Sequence, residues 1–402
     1  MRILILSQWC TPEPDLKALP FAKELIKNGH YVEILTGFPN YPGGKVYDGY
    51  KVNFYKKEII DEVVVHRCYL YPSHDQSAIK RILNYFSFAF SSAIIGVIKL
   101  SKFDIVYTYH PPGTISFSAA FIKFFKGSKI VYDIQDLWPD TLKATGMISS
   151  NIILNLIEEY FKLFYKYCDH IVVLSNGFKQ CLVKKGVNEK KITRIYNWSL
   201  IKENNSVHQP DEFSNIGEKI ITFAGTMGKA QSLQNILETA TLCLEANLKF
   251  HFVFIGGGIE VENLKRYSAE KRISNVTFIS RVNSDAIINY LKHSDLLLVH
   301  LKDDPVFKIT IPSKIHAYLA IGKPILCGVK GDSAELIEES DSGYIFESDN
   351  SKSLLEILKS IDNLSSSELE LKGETGKKYY NEYLSIERGT SQFLDIFNII
   401  MN

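Results

Sequence analysis

The chain has 402 residues, 46% hydrophobic and 23% charged, which is enough apolar material for two buried cores and excludes a disordered protein. Its formal charge of +1 conceals a split: residues 1–200 carry 25 Lys/Arg against 17 Asp/Glu, and residues 201–402 carry 21 against 28. A basic half joined to an acidic half fits a first domain that meets an anionic surface, membrane lipid or nucleic acid, although a chance partition of solvated charge reads the same.

In chain order, MRILILSQW reads as a strand running straight into the fold, with an apolar run too short for a signal peptide, so a cytoplasmic location is expected. Short apolar strands then alternate with helical patterns: RILILS, HYVEILT, EVVVHRCYL, DIVYTYH, KIVYDIQ and HIVVLS in the first half, KIITFAG, FHFVFIG, NVTFIS, LLLVHL, PILCGV and GYIFE in the second. This alternation predicts an α/β protein of two doubly wound parallel sheets. The expected boundaries are a first domain over 1–199, a polar linker over 200–218, a second domain over 219–383, and a closing helix over 384–402 that packs back on the first domain. Two such domains facing each other would enclose a cleft, and ligands bind outside the carboxyl ends of the strands. Six dispersed cysteines, with no CxxC pair and no Cys/His cluster, argue for a reduced, intracellular protein without a structural zinc.

Between the third and fourth strands, Leu83 to Leu100 is long and apolar enough to span a membrane. Asn84, Ser87, Ser91 and Ser92 within it, and Lys80, Arg81, Lys99 and Lys102 around it, suggest a surface helix touching a membrane, with core burial as the competing reading. His110 ends the strand DIVYTY ahead of Pro111, Pro112 and Gly113, which predicts an imidazole held by a stiff loop for catalysis or phosphate contact. Asp133 and Asp136 end the next strand, where paired carboxylates would suit general-base work or hydroxyl orientation, Asp136 and Trp138 meeting a sugar's hydroxyls and its apolar face; a cap on the helix after Pro139 is the competing reading.

In the second half, Gly225 and Gly228 precede a helix with Lys229 beside them, a loop that lets backbone and a cation approach phosphate. Neither GxxxxGK[ST] nor a GxGxxG after a first strand occurs, which disfavours a P-loop NTPase and a simple NAD dehydrogenase. The glycines at 256–258 read most simply as a tight turn. Ile311 to Leu326, IPSKIHAYLAIGKPIL, opens a helix with Pro312, Ser313 and Lys314 and stops it at Gly322; such a helix start offers free N–H groups to an anion.

These stretches, with WCTPEPD, LTGFPNYPGGKVYDGY, YHPPGT, DIQDLWPD and the PSK…GKP block, resemble the retaining GT-B glycosyltransferases of family 4, in the branch of bacterial O-antigen and capsule clusters that includes N-acetylfucosaminyl transferases. The resemblance covers nearly the whole chain. It implies a UDP-sugar donor in the second domain, a lipid-linked acceptor such as an undecaprenyl-diphosphate sugar in the first, no metal, no separate cofactor and no nucleic acid. It also places Lys229 and Lys314 near the donor diphosphate, with donor groups from Thr310, Ile311 and Ser313, Val282 at the uracil, and His110 and Asp136 at the reacting sugar. Two glutamates usual in the family stand here as Ile309 and Ala317, and a usual Arg and Lys as Thr226 and Gln231, so Asp303, Asp304 or Glu335 becomes the alternative ribose ligand. A UDP-sugar 2-epimerase of the same architecture and a silent nucleotide-sugar-binding subunit remain the competing functions.

Overall fold

The computed structural model describes residues 1–73, 78–144, 147–201 and 208–402. The chain divides into two compact units, Met1–Tyr196 together with Ile386–Asn402, and Asn197–Ser385. Part of the stretch expected as linker, 202–207, lies outside the described residues; further along it, Phe213 is buried in the second unit against Ile220 and Tyr290.

The first unit is built on β1 (Arg2–Ser7), β2 (Tyr31–Gly37), β3 (Tyr55–Ile60), β4 (Val63–Cys68), β5 (Ile105–His110), β6 (Lys129–Ile134), β7 (His170–Val173) and β8 (Ile192–Arg194). They form one sheet in the order β3-β4-β2-β1-β5-β6-β7-β8. The central strands are mostly apolar and buried along almost their whole length, as in a sheet covered on both faces. β3 is an addition to the expected all-parallel sheet: it pairs antiparallel with β4. The cause is local. Asp61 and Glu62 both adopt positive φ, 47° and 69°, making the two-residue turn that sends a strand straight back beside its predecessor.

The second unit carries β9 (Lys219–Thr226), β10 (Phe250–Gly257), β11 (Val276–Ile279), β12 (Leu296–His300), β13 (Ile325–Gly328) and β14 (Gly343–Ile345). These are the six expected strands, all parallel, in the order β11-β10-β9-β12-β13-β14. The core beneath them is aromatic, with Phe223, Phe250, Phe252 and Phe254 fully or almost fully buried. Each sheet reverses its strand order once beside its first strand: β1 lies between β2 and β5, and β9 between β10 and β12. Such a switch point splays the following loops apart and leaves a crevice at the carboxyl ends of the strands.

The Ala78–Ile98 helix passes for a membrane span by length and composition, yet half of its apolar window is buried in the first unit. Asn84 bonds Gln8, and Ser92 shares a 2.8 Å hydrogen bond with Ser118 of the neighbouring helix. Its outer face tells the other half: Ile79, Leu83, Phe86, Phe90, Ile94 and Ile98, spaced three and four apart, are 41–72% exposed. A one-sided burial of this kind belongs to a helix lying on a surface.

Candidate active site

In the first unit the loops after β1, β5 and β6 carry the polar groups. His110, the last residue of β5, is 1% exposed, and neither ring nitrogen hydrogen-bonds another group. Burial pushes its pKa down to about 3, so the imidazole is neutral at ordinary pH and not a cation. Its ring stands edge-on to Trp138, centroids 5.8 Å apart. Asp136 is half-buried, and desolvation raises its carboxyl to about 6.

Asp133, the other carboxylate of that strand end, does not share its role. It is fully buried, accepts from Lys17 Nζ at 2.8 Å, Tyr107 Oη at 2.6 Å and Gln135 Nε2 at 2.6 Å, and is thereby saturated. The expected pairing of two reactive carboxylates is corrected to one, Asp136. The loop Cys10–Lys17 carries a second set of buried charges. Glu13 accepts from the backbone N–H groups of Asn40 and Tyr41, both at 2.8 Å, and of Cys10, tying this loop to the one after β2. Burial raises the Glu13 carboxyl to about 7 despite those donors. Asp15 accepts from the N–H groups of Ala18 and Leu19 and so caps the Leu19–Lys27 helix. Sequence reading missed these three residues as a set; the signal available was three charges at alternate positions after a buried strand.

If Asp136 accepts a proton or orients a hydroxyl, its charged form grows as pH rises through about 6. The acid limb of kcat/KM is then expected near pH 6, and Asp136→Asn should lower kcat by roughly 10²–10⁴ and flatten that limb. The linked stability has the opposite sense. A carboxyl raised from 3.8 to about 6 binds more proton when folded, so its contribution falls as pH rises across that window.

In the second unit, β9 and β10 meet the crevice through glycines. Gly225 has φ +144°, and a Cβ built there would lie 3.1 Å from Lys314 Nζ. Gly256, beside it with φ +141°, would place a Cβ 2.0 Å from the Gly225 carbonyl oxygen; at Gly258 a Cβ would fall 2.2 Å from the Met227 carbonyl. The glycine run therefore does what a tight turn does and also admits the first loop's backbone. Gly256→Ala is expected to cost more than about 3 kcal/mol, seen as a lowered melting transition of the second unit.

Gly228 donates its N–H to Gln231 Oε1 at 3.0 Å. The Gln231 carbonyl in turn accepts from His300 Nδ1 at 2.7 Å, while His300 Nε2 accepts from the Asp349 N–H. The glutamine standing where a lysine is usual thus shapes the loop from within. Lys229 projects from it, exposed. The Ser313–Ile321 helix starts at Pro312 with no side-chain cap and ends at Gly322, φ 83°. The first N–H groups of such a helix have no intrahelical partner and sit at the positive end of its macrodipole. Lys314 lies in this first turn, half-buried, with Nζ 3.6 Å from the centre of the Phe223 ring. Desolvation pulls its pKa down to about 7.

The other expected donor-site residues divide. Ser313 is exposed at the helix start, and Ile311 is a buried packing residue. Val282 packs on the Ile220–Val253 cluster. Thr310 corrects the expectation: its hydroxyl donates to the Val306 carbonyl and its N–H to the Phe307 carbonyl, so both donors are committed within the chain. Of the alternative ribose ligands, Asp303 is held by Lys308 and Lys330, and Asp304 caps the Pro305–Lys308 helix; Glu335 remains exposed. Among the described residues no three His, Cys, Asp or Glu side chains converge as metal ligands.

Two sheets of the dinucleotide-binding type, each with its polar residues at the switch point, define the GT-B fold of sugar-nucleotide transferases. The protein is a glycosyltransferase of the group 1/family 4 type: residues 18–198 match the pattern described as Glycosyltransferase Family 4, and residues 205–378 that described as Glycosyl transferases group 1. It is 25% identical over 341 residues to WbjE of Pseudomonas aeruginosa, named a probable glycosyltransferase, covering 82% of this chain and 84% of that one. It is 26% identical over 314 residues to WcaI of Escherichia coli K12, whose name places it as a glycosyl transferase of colanic acid biosynthesis, covering 74% and 75%. Anabaena HepE, solved in complex with UDP-glucose, has the same fold with a TM-score of 0.68 over 99% of each chain at 12% identity.

Proposed function

We propose that the protein transfers a sugar, an N-acetylated hexosamine such as N-acetyl-L-fucosamine, from its UDP derivative to an undecaprenyl-diphosphate-linked acceptor, with retention at the anomeric carbon. The product serves O-antigen or capsular polysaccharide synthesis. One observation carries the donor half of this reading: at the switch point of the second sheet, Lys314, in the first turn of the uncapped Ser313–Ile321 helix, reaches Nζ to Gly225 near the end of β9. Fixed N–H dipoles and a cation at one spot stabilise the charge that builds on a departing diphosphate. The complex of HepE with UDP-glucose supports a nucleotide sugar as donor.

In the proposed reaction the bond from the anomeric carbon to the diphosphate breaks, and the acceptor hydroxyl forms the new glycosidic bond from the same face. The hydroxyl proton passes to the leaving diphosphate, so neither a covalent intermediate nor a metal is required. The basic first half and the exposed apolar face of the Ala78–Ile98 helix support attachment to the inner face of an anionic membrane.

UDP release tests this reading directly, using a panel of UDP-sugars with detergent-solubilised undecaprenyl-diphosphate GlcNAc. Acceptor-dependent release with one N-acetylated donor is the expected result. Equal release with and without the lipid-linked acceptor would overturn it. Flotation with anionic vesicles, lost when Phe86 and Phe90 are both made Ser, checks the membrane half.

A further inference from the structure

A cavity of about 660 Å³ lies within the first unit, between the Ala78–Ile98 helix, the start of the Ile115–Lys126 helix and the Asn151–Tyr167 helix. That is the size that encloses a small-molecule ligand. Its wall is hydrocarbon and aromatic, grading from exposed side chains such as Phe86, Ile153 and Leu156 to buried ones such as Leu142 and Phe161. An apolar hole of this size open to water is costly unless something apolar fills it.

Three features say what fills it. One wall is Trp138, the ring set edge-on to His110, so the cavity adjoins the candidate reaction centre; Gly113 closes that wall, since a Cβ there would lie 2.7 Å from the Trp138 ring. Among the described residues a buried cationic group stands beside the lining at Tyr85. Arg81, next to the lining residue Ile82, has a buried Nε with no hydrogen-bond partner, and Arg81 and Asp136 both act electrostatically on the lining phenol of Tyr85. The cavity also continues into the exposed apolar face of the Ala78–Ile98 helix, since Ile79, Phe86 and Phe90 belong to both. A hydrocarbon slot with a cation at one side and an apolar apron beyond it matches a molecule with an anionic head joined to a long apolar chain.

We propose that this cavity holds the phosphate-proximal isoprene units of the acceptor's polyprenyl chain, with its diphosphate at Arg81. The inference rests on the lipid-linked acceptor proposed above. It gives the first unit a role beyond attachment: the lipid is gripped, and its sugar is thereby held at a fixed reach from His110 and Asp136.

The test is equilibrium binding of geranyl and geranylgeranyl diphosphate to the full chain, below their micellar concentrations, with peptide mapping of a benzophenone-bearing farnesyl diphosphate photoadduct. Geranylgeranyl diphosphate is expected to bind more tightly than geranyl diphosphate by roughly tenfold or more, as buried hydrocarbon requires. Adducts should fall in residues 78–90 and 147–161. Ile82→Trp, which fills the slot, should erase the chain-length dependence, and Arg81→Gln should weaken both ligands about equally, while the thermal shift produced by UDP stays unchanged and reports an intact fold. Adducts elsewhere, binding indifferent to chain length, equal binding of palmitoyl phosphate, or a dimer sealed through this face would each overturn the proposal. Binding needs neither donor nor transfer, so the two readings fail separately. Isoprenoid binding with transfer only to water-soluble acceptors sinks the acceptor assignment; transfer to the undecaprenyl acceptor that ignores Ile82→Trp sinks the cavity.

Discussion

Lys17→Met is expected to destabilise the first unit by about 3–5 kcal/mol, the cost of leaving a buried charge without its partner. Lys17 and Asp133 are both fully buried and 2.8 Å apart. Desolvation pulls the Lys17 pKa down, and the Asp133 charge and hydrogen bond pull it back up. Removing the lysine leaves Asp133 with neutral donors only, Tyr107 and Gln135, in a site with no access to water. Adding Asp133→Asn should recover most of the loss, because an amide needs no counter-charge. Thermal melting of single and double variants measures both. A loss below about 1 kcal/mol would mean that the site relaxes or admits water and that the pair does not govern the loop after β1.

Lys314→Ala should lower kcat by roughly 10²–10³ with the melting transition retained, the effect of deleting one preorganised partner of a developing anion. The pH dependence separates this role from packing. In the free protein the ammonium, lowered from 10.5 to about 7, is only partly protonated at neutral pH. A bound diphosphate favours the charged form, so donor binding takes up a proton and its affinity falls as pH rises above about 7. Stability of the unliganded protein runs the other way: between about 7 and 10.5 the unfolded chain binds more protons, so stability rises with pH across that window. UDP should therefore raise the melting temperature more at about pH 6.5 than at about pH 8.5, and Lys314→Met should abolish the difference. An unchanged pH dependence in that variant would remove Lys314 from the diphosphate site.

The fold was legible because its central strands are largely buried and read as mostly apolar runs. β3 escaped for the opposite reason: YKKEII puts three charged residues in a row at a sheet edge, and only the turn at Asp61 and Glu62 makes it a strand. In the second unit, local chemistry marks the proposed donor site, since Pro312, Lys314 and Gly322 signal helix start, cation and helix stop within one short stretch. The first unit's site was harder to read because its logic is non-local. Lys17 meets Asp133 across 116 positions, and Glu13 reaches Asn40 across 27, distances at which no spacing rule operates. Depth is also invisible in sequence: His110 ends a strand as expected, but how completely it is enclosed depends on Tyr132 and Trp138, which only the packed sheet brings to it.

The closing helix, Ile386–Met401, sets the order in which this protein can be finished. Phe393 is fully buried against Phe21 and Tyr107, and its ring lies 5.3 Å from Lys17 Nζ. The ribosome therefore releases these residues of the first unit only after the whole of the second. At about 5–20 residues per second, the whole of Asn197–Ser385 takes on the order of ten to forty seconds to emerge. For that interval the nascent N-terminal half waits with an aromatic surface and an ion pair uncovered, while the second unit, continuous in the chain, has all its own strands in hand first.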